Sequence, residues 1–267
     1  MELMQKVGSV AALVFVVFAM LTMGLGLSVG EIVAPLRSVR LLVLALVSNY
    51  VLMPLVALGL GRMLGLDQPL LFGLLLMGAA GGAPFLPKLV QVAKGNPALA
   101  VGLMVFQMVV ALVFMPLALP IIMPGVSINP MKIAASLLVT MALPLAAALT
   151  IKAVLPRAAA RAKPLFDKLS SLALVVCISL LIAANIHSLL GVFGEFAILA
   201  SLLFVAIGYG IGWVLGGSDT DTRRALALAT AARNIGAALV VAGQSFSDPR
   251  VVVMVIVFTV VTVSTLF

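Results

Sequence analysis

Charge is scarce in this chain of 267 residues: Asp and Glu number eight, Lys and Arg sixteen, and together they make up 9% of it. There is one Cys, one His and one Trp. The lone Cys177 excludes an intrachain disulfide. So thin a supply of His, Cys and carboxylates forms no metal-ligand cluster by spacing, and no nucleophile-base pair or phosphate-cradling loop is visible. Neither enzyme activity nor a bound cofactor or metal is expected. Polar stretches long enough to build a soluble domain are also missing.

Apolar side chains take their place, 64% of residues at a mean hydropathy of +1.34. A water-soluble fold could not hide that much apolar surface, so the solvent for most of the chain is lipid. Runs of the ~20 apolar residues that cross a bilayer recur along the whole length. The net charge of +8 does not point to nucleic acid, because Lys and Arg sit almost entirely in the short segments between those runs.

Hydropathy gaps with Pro and Gly punctuation predict an all-α polytopic membrane protein of about nine spans. These are Val7–Val29, Ser38–Leu60, Pro69–Ala93, Ala98–Met123, Pro130–Leu155, Leu165–Leu189, Phe193–Leu215, Thr222–Gly243 and Arg250–Phe267. The first follows Lys6 as a signal peptide would, but it is too long for an h-region and is read as a transmembrane helix. The last stops abruptly, and the natural chain is expected to continue. Arg37, Arg40, Lys88, Lys94, Lys152, Arg157, Arg161, Lys163, Lys168, Arg223 and Arg224 fall on one side of this arrangement. Only Lys6, Arg62, Lys132 and Arg250 fall on the other. The first side is expected to be cytoplasmic in a cell (inner) membrane, with the N-terminus outside and the C-terminus inside.

An internal repeat runs at the separation of Asp67 from Asp219, which is 152 positions. Leu74 and Leu76 pair with Leu226 and Leu228, Ala79-Ala80 with Ala231-Ala232, and Asn96-Pro97 with Asp248-Pro249. Val101, Val105, Phe106 and Val109 pair with Val253, Val257, Phe258 and Val261 without a gap. The aligned loop residues carry more weight than matches among valines. Five spans separate the equivalent helices, so an odd count inverts one copy in the membrane, an arrangement found in secondary transporters.

Both copies break a helix at matching places. Gly81-Gly82-Ala83-Pro84, followed by Pro87, interrupts the third span, since Pro removes a donor and Gly frees the backbone. The repeat places Arg233-Asn234 opposite Gly81-Gly82 in the eighth. Two breaks crossing at mid-membrane would form a polar site, with half-helix N-termini favouring an anion.

Arg233 is the principal candidate. With about ten apolar or small residues on either side it cannot snorkel, and an unpaired guanidinium there costs several kcal/mol. Two readings fit: it ties the crossing together through unwound carbonyls, or it is the counter-ion of an anionic substrate. Asn234 either caps the second half-helix or binds solute, and Thr230 lies one turn earlier. Gln107 and its repeat mate Thr259 either line a cavity or bond across helices. Asn185 and His187 suit an interfacial place, and Lys88 a cytoplasmic loop or snorkelling one. Gly208, Gly210 and Gly212 suit close helix packing or lipid-facing bulk.

Met23-Gly24-Leu25-Gly26-Leu27, Asn49-Tyr50-Val51-Leu52-Met53-Pro54-Leu55, Gly81-Gly82, Ala93-Lys94-Gly95-Asn96 and Ala98-Leu99 stand in an order that resembles the bile acid sodium symporter family. The resemblance covers nearly the whole chain. It implies a core domain holding the two crossing helices (38–124 and 191–267, interrupted at 69–93 and 222–243) and a panel domain (7–29 and 130–190) that rocks against it. The family's sodium-site residues are missing. Its Ser-Asn pair would fall near Phe85 and Leu86, and its Ser and Thr at Ala100 and Met104. Its Glu-x-Gly-x-Gln-Asn reads Ala229-Thr230-Ala231-Ala232-Arg233-Asn234, keeping only Asn. Sodium needs several oxygen ligands, and a guanidinium would repel it.

The expectation is a secondary transporter of a small organic anion that works without sodium at the family's sites. Its substrate-binding residues would be drawn from Arg233, Asn234, Gly81, Gly82, Pro84, Thr230, Gln107 and Thr259. The lipid bilayer is the other partner, nucleic acid is not, and a monomer is favoured. A receptor or sensor on a transporter fold is the alternative; a channel would need rows of polar residues that the chain does not offer.

Overall fold

The structure, a computed structural model, describes residues 2–28, 30, 33, 38–123, 126, 128–184 and 196–266. Every regular element among them is a helix. In chain order these are α1 (Glu2–Gly26), α2 (Val39–Met63), α3 (Gln68–Ala79), α4 (Leu86–Val92), α5 (Pro97–Ile122), α6 (Pro130–Val154), α7 (Pro156–Ala184), α8 (Ala197–Leu215), α9 (Thr220–Ala231), α10 (Ile235–Ser245) and α11 (Pro249–Leu266).

Among the described residues, seven stretches are long and apolar enough to span a bilayer: α2, α5, α6, α7, α8, α11, and α9–α10 taken across its break. Val10–Gly26 within α1 and Gln68–Ala79 are shorter apolar helices. Exposed apolar stripes mark the lipid face: Val39, Val43, Val47, Val51 and Leu55 on α2, and Val109, Val113, Leu117 and Ile121 on α5. Spacing by four keeps each stripe on one side of its helix.

The sixth span differs from the expectation. Its helix starts at Pro156 rather than near Leu165, because the Ala-rich segment with Arg157 and Arg161 is a good helix former and Pro156 opens its first turn. Pro164 is carried inside the helix.

Two helices contain a wide π turn, Val47–Leu52 in α2 and Leu138–Ala142 in α6. Pro54 and Pro144 follow two residues later in each case. A proline removes the amide that would close the regular ladder, and the chain relaxes by bonding one residue further on. Thus the N–H of Met53 donates to the carbonyl of Ser48.

Element boundaries fall at the separation of the sequence repeat. Gln68–Ala79 and Thr220–Ala231 begin and end 152 positions apart, as do the starts of α5 and α11 and the ends of α2 and α8. The caps match as well. Asn96 accepts from the amide of Ala98 at 3.0 Å, and Asp248 from that of Arg250 at 2.9 Å.

Helices α1, α6 and α7 pack along one another. A second set, α2, α5, α8 and α11, surrounds the broken helices α3–α4 and α9–α10. Helix α1 also lies against α10, where a Cβ on Gly236 would come 2.7 Å from Val16 Cγ2. On α8 the packing glycines are Gly208 and Gly212, the latter so close to α9 that a Cβ would meet the Leu226 carbonyl at 2.4 Å; Gly210 faces open space.

Candidate functional site

The breaks occupy residues 80–85 and 232–234, and they meet. The amide of Asn234 donates to the carbonyl of Ala80 at 2.8 Å, joining the two interruptions through main chain alone. Gly82 makes the approach possible. Its φ is +84°, and a Cβ there would lie 2.5 Å from the Met108 nitrogen and 2.8 Å from the Met108 Cα. Its neighbour Gly81 faces the Tyr50 hydroxyl, which a Cβ would meet at 2.6 Å. That hydroxyl donates to the backbone carbonyl of Gln107 on α5.

Arg233 is completely buried in the second break, the largest of the fully buried side chains. Its Nη1 donates to Asn49 Oδ1 at 2.8 Å, and its guanidinium carbon stands 5.4 Å from the centre of the Phe204 ring. A face-on aromatic within ~6 Å attracts a cation without neutralising it. Nε and Nη2 have no partner among the described residues, and no described carboxylate pairs with this arginine. It does not bond to unwound carbonyls.

Asn49 sits on the π turn of α2, which also buries Ser48 and Tyr50. Its amide nitrogen donates to the Ala45 carbonyl and to Ser48 Oγ, both at 3.0 Å. With both amide hydrogens so placed, Oδ1 is turned to the guanidinium. Thr230 donates to the Leu226 carbonyl at 2.7 Å and lies 3.3 Å from Ser48 Oγ.

Asn234 caps α10, accepting from the Ala237 amide at 3.0 Å, while its Nδ2 is buried with no partner among the described residues. Gln107 is buried, and neither end of its side-chain amide is bonded among the described residues. Thr259 turns back to the Val255 carbonyl of its own helix. Pro84 is half-buried in the turn that leads into α4. Lys88 is exposed and reaches Gln91 Oε1 at 3.4 Å, as a snorkelling residue would. Asn185 and His187 lie outside the described residues.

Between α1, α7 and α10, Ala12, Leu13, Leu181, Leu239, Val240 and Gly243 surround a cavity of about 70 Å³, edged by Gln244 and Val252. Asn49, Tyr50 and Phe204 had no place in the sequence-derived site. A polar residue inside an apolar run, just ahead of a proline, was the available signal for the first.

The model of the sodium bile acid symporter family matches residues 13–192. The chain belongs to that family. A curated relative, the "Uncharacterized sodium-dependent transporter YocS" of Bacillus subtilis (strain 168), is 26% identical over 238 residues, covering 88% of this chain and 74% of the relative. Membership makes this a transporter-like, multi-pass membrane protein. The positions expected to match the family's sodium ligands are apolar in this member. Leu86 and Ala100 are fully buried, Met104 and Ala229 nearly so, and Phe85 is half-buried.

Proposed function

We propose that this family member is a secondary carrier that moves a small organic anion by alternating access, with Arg233 standing permanently in place of the coupling cations. The observation that carries the reading is a wholly buried guanidinium, at the meeting of two helix breaks, whose polar and aromatic contacts are all uncharged. A charge so placed demands an anion or a lasting penalty. An anion within about 7 Å gains on the order of 2 kcal/mol at an effective dielectric near 20, or roughly 30-fold in affinity. The N-terminus of α10, capped by Asn234, adds favourable partial charge from the same direction.

Sodium fits this setting poorly. Apolar side chains offer no oxygen ligands, and the guanidinium repels a second cation. The nine-span inverted arrangement, with α1, α6 and α7 as the panel, gives the carrier its moving parts. Separation of α1 from α10 would uncover the start of α10 at Gly236, beside the break, and enlarge the cavity between them.

Solute counterflow in proteoliposomes tests the proposal, after a thermal-shift screen of cholate, benzoate and other carboxylates has chosen the probe. A carrier shows trans-stimulated exchange that is indifferent to a sodium gradient and falls at least tenfold in Arg233→Gln. Uptake that tracks the sodium gradient would overturn the coupling claim. Binding without exchange would favour a receptor.

A further inference from the structure

We infer that Asn49 is a positioning residue that sets the sign of the charge at the crossing, by holding Arg233 without neutralising it. The inference rests on reading Arg233 as the fixed cation of the site. Asn49 is fully buried and its three polar contacts leave no freedom: Nδ2 is spent on Ala45 and Ser48, and Oδ1 accepts from Arg233 at 2.8 Å. The remaining contact of the guanidinium is the face of Phe204, which is also neutral. A carboxylate at position 49 would occupy the same volume and accept the same bond from Arg233, while losing the two bonds that Nδ2 donates to Ala45 and Ser48. It would also cancel the charge that the crossing presents to solute.

The π turn explains why this pairing is available. Widening α2 at Val47–Leu52 swings Ser48, Asn49 and Tyr50 together into the interior, on the flank of the breaks that faces α2 and α8. Helix α1 covers the other flank, at Gly236. Solute on the α1 flank would sense Arg233 through space, so the residue that governs its net charge need not touch the solute at all.

Two isolated changes separate this role from a structural one. Asn49→Asp keeps the size and the acceptor but supplies a countercharge, whereas Asn49→Ser loses the hold on Arg233 and leaves its charge intact. In proteoliposomes or detergent, with cholate and benzoate as probes, Asn49→Asp is expected to melt below wild type, because its second carboxylate oxygen has no proton to donate to the Ala45 carbonyl. It should bind the responsive probe roughly 30-fold more weakly, the whole of the electrostatic gain. Asn49→Ser is expected to melt lower and to bind within about threefold of wild type.

A residue that only supports packing would give the reverse order, with Asn49→Ser the worse binder. That order, or wild-type binding by Asn49→Asp, overturns the inference. Where Asn49→Asp does not fold, Asn49→Ser decides, and a loss of probe binding beyond tenfold in that variant overturns the inference. If Arg233→Gln loses binding while Asn49→Asp keeps it, this inference falls and the proposed function stands. If Arg233→Gln binds as wild type, both fall.

Discussion

Replacing Gly82 by alanine should loosen the crossing more than any other single methyl added to the chain. The residue sits at φ +84°, where an L side chain costs roughly 1–2 kcal/mol in backbone energy alone. The added Cβ would then stand 2.5 Å from the Met108 nitrogen and 2.9 Å from the Met104 carbonyl oxygen. Ordinary contact needs about 3.4 Å, so α5 must retreat by close to an ångström, and forced overpacking of this kind costs about 1–3 kcal/mol more. Both neighbours are backbone, so no rotamer change relieves the overlap. The sum is roughly 2–5 kcal/mol, a loss of at least 30-fold in the folding equilibrium.

Denaturation of the purified protein in mixed micelles, followed by helicity, measures that loss. Gly59→Ala is the control, since its Cβ would meet nothing within 4 Å. Because the retreat also pulls the Gln107 carbonyl from the Tyr50 hydroxyl, probe binding should weaken in parallel. Gly82→Ala as stable as Gly59→Ala would refute the close approach on which the site depends.

Three further outcomes are expected. Asp67→Asn removes the ion pair with Arg250, whose side chains are 31% and 36% exposed; it should cost about 0.5–1 kcal/mol, and the difference from wild type should shrink in high salt. Asp219 accepts from the hydroxyl and the amide of Thr222, which hold its carboxyl below the usual range. Its contribution is therefore complete above the ordinary carboxylate range and is lost as pH falls through the lowered folded value. Asp219→Asn keeps a neutral cap and should flatten that acid limb of the stability curve; identical limbs would count against the cap. For topology, cysteines at Arg62 and Arg161 in a Cys177→Ala background should differ in intact cells, an impermeant maleimide labelling the first and sparing the second. The opposite pattern would reverse the proposed orientation.

The interruptions were legible in the sequence because Gly-Gly-Ala-Pro has no stable helical form and a lone Arg in an apolar run is conspicuous. Helices α3 and α9 begin one and two residues before the expected Pro69 and Thr222, with Asp67 and Asp219 at matching N-cap positions; only Asp219 accepts an amide bond there. What Arg233 touches was not legible. Its partner lies 184 positions away, and a single Asn in an apolar helix reads equally as a bond between any two helices. Which face Asn49 occupies depends on the π turn, and an extra residue per turn rotates everything beyond it by about 100°. Pro54 hinted at irregularity without stating its form. Thr259 and Gln107, matched by the repeat, diverge in the structure: one hydroxyl is satisfied by its own helix, while the Gln amide stays unbonded.

The contact from the Asn234 amide to the Ala80 carbonyl belongs to no side chain, so no substitution except proline at position 234 can delete it. A scaffold clasped in this way tolerates wholesale exchange of whatever decorates it. Side chains around the junction can differ while the two segments stay fastened, because the clasp is made of peptide groups.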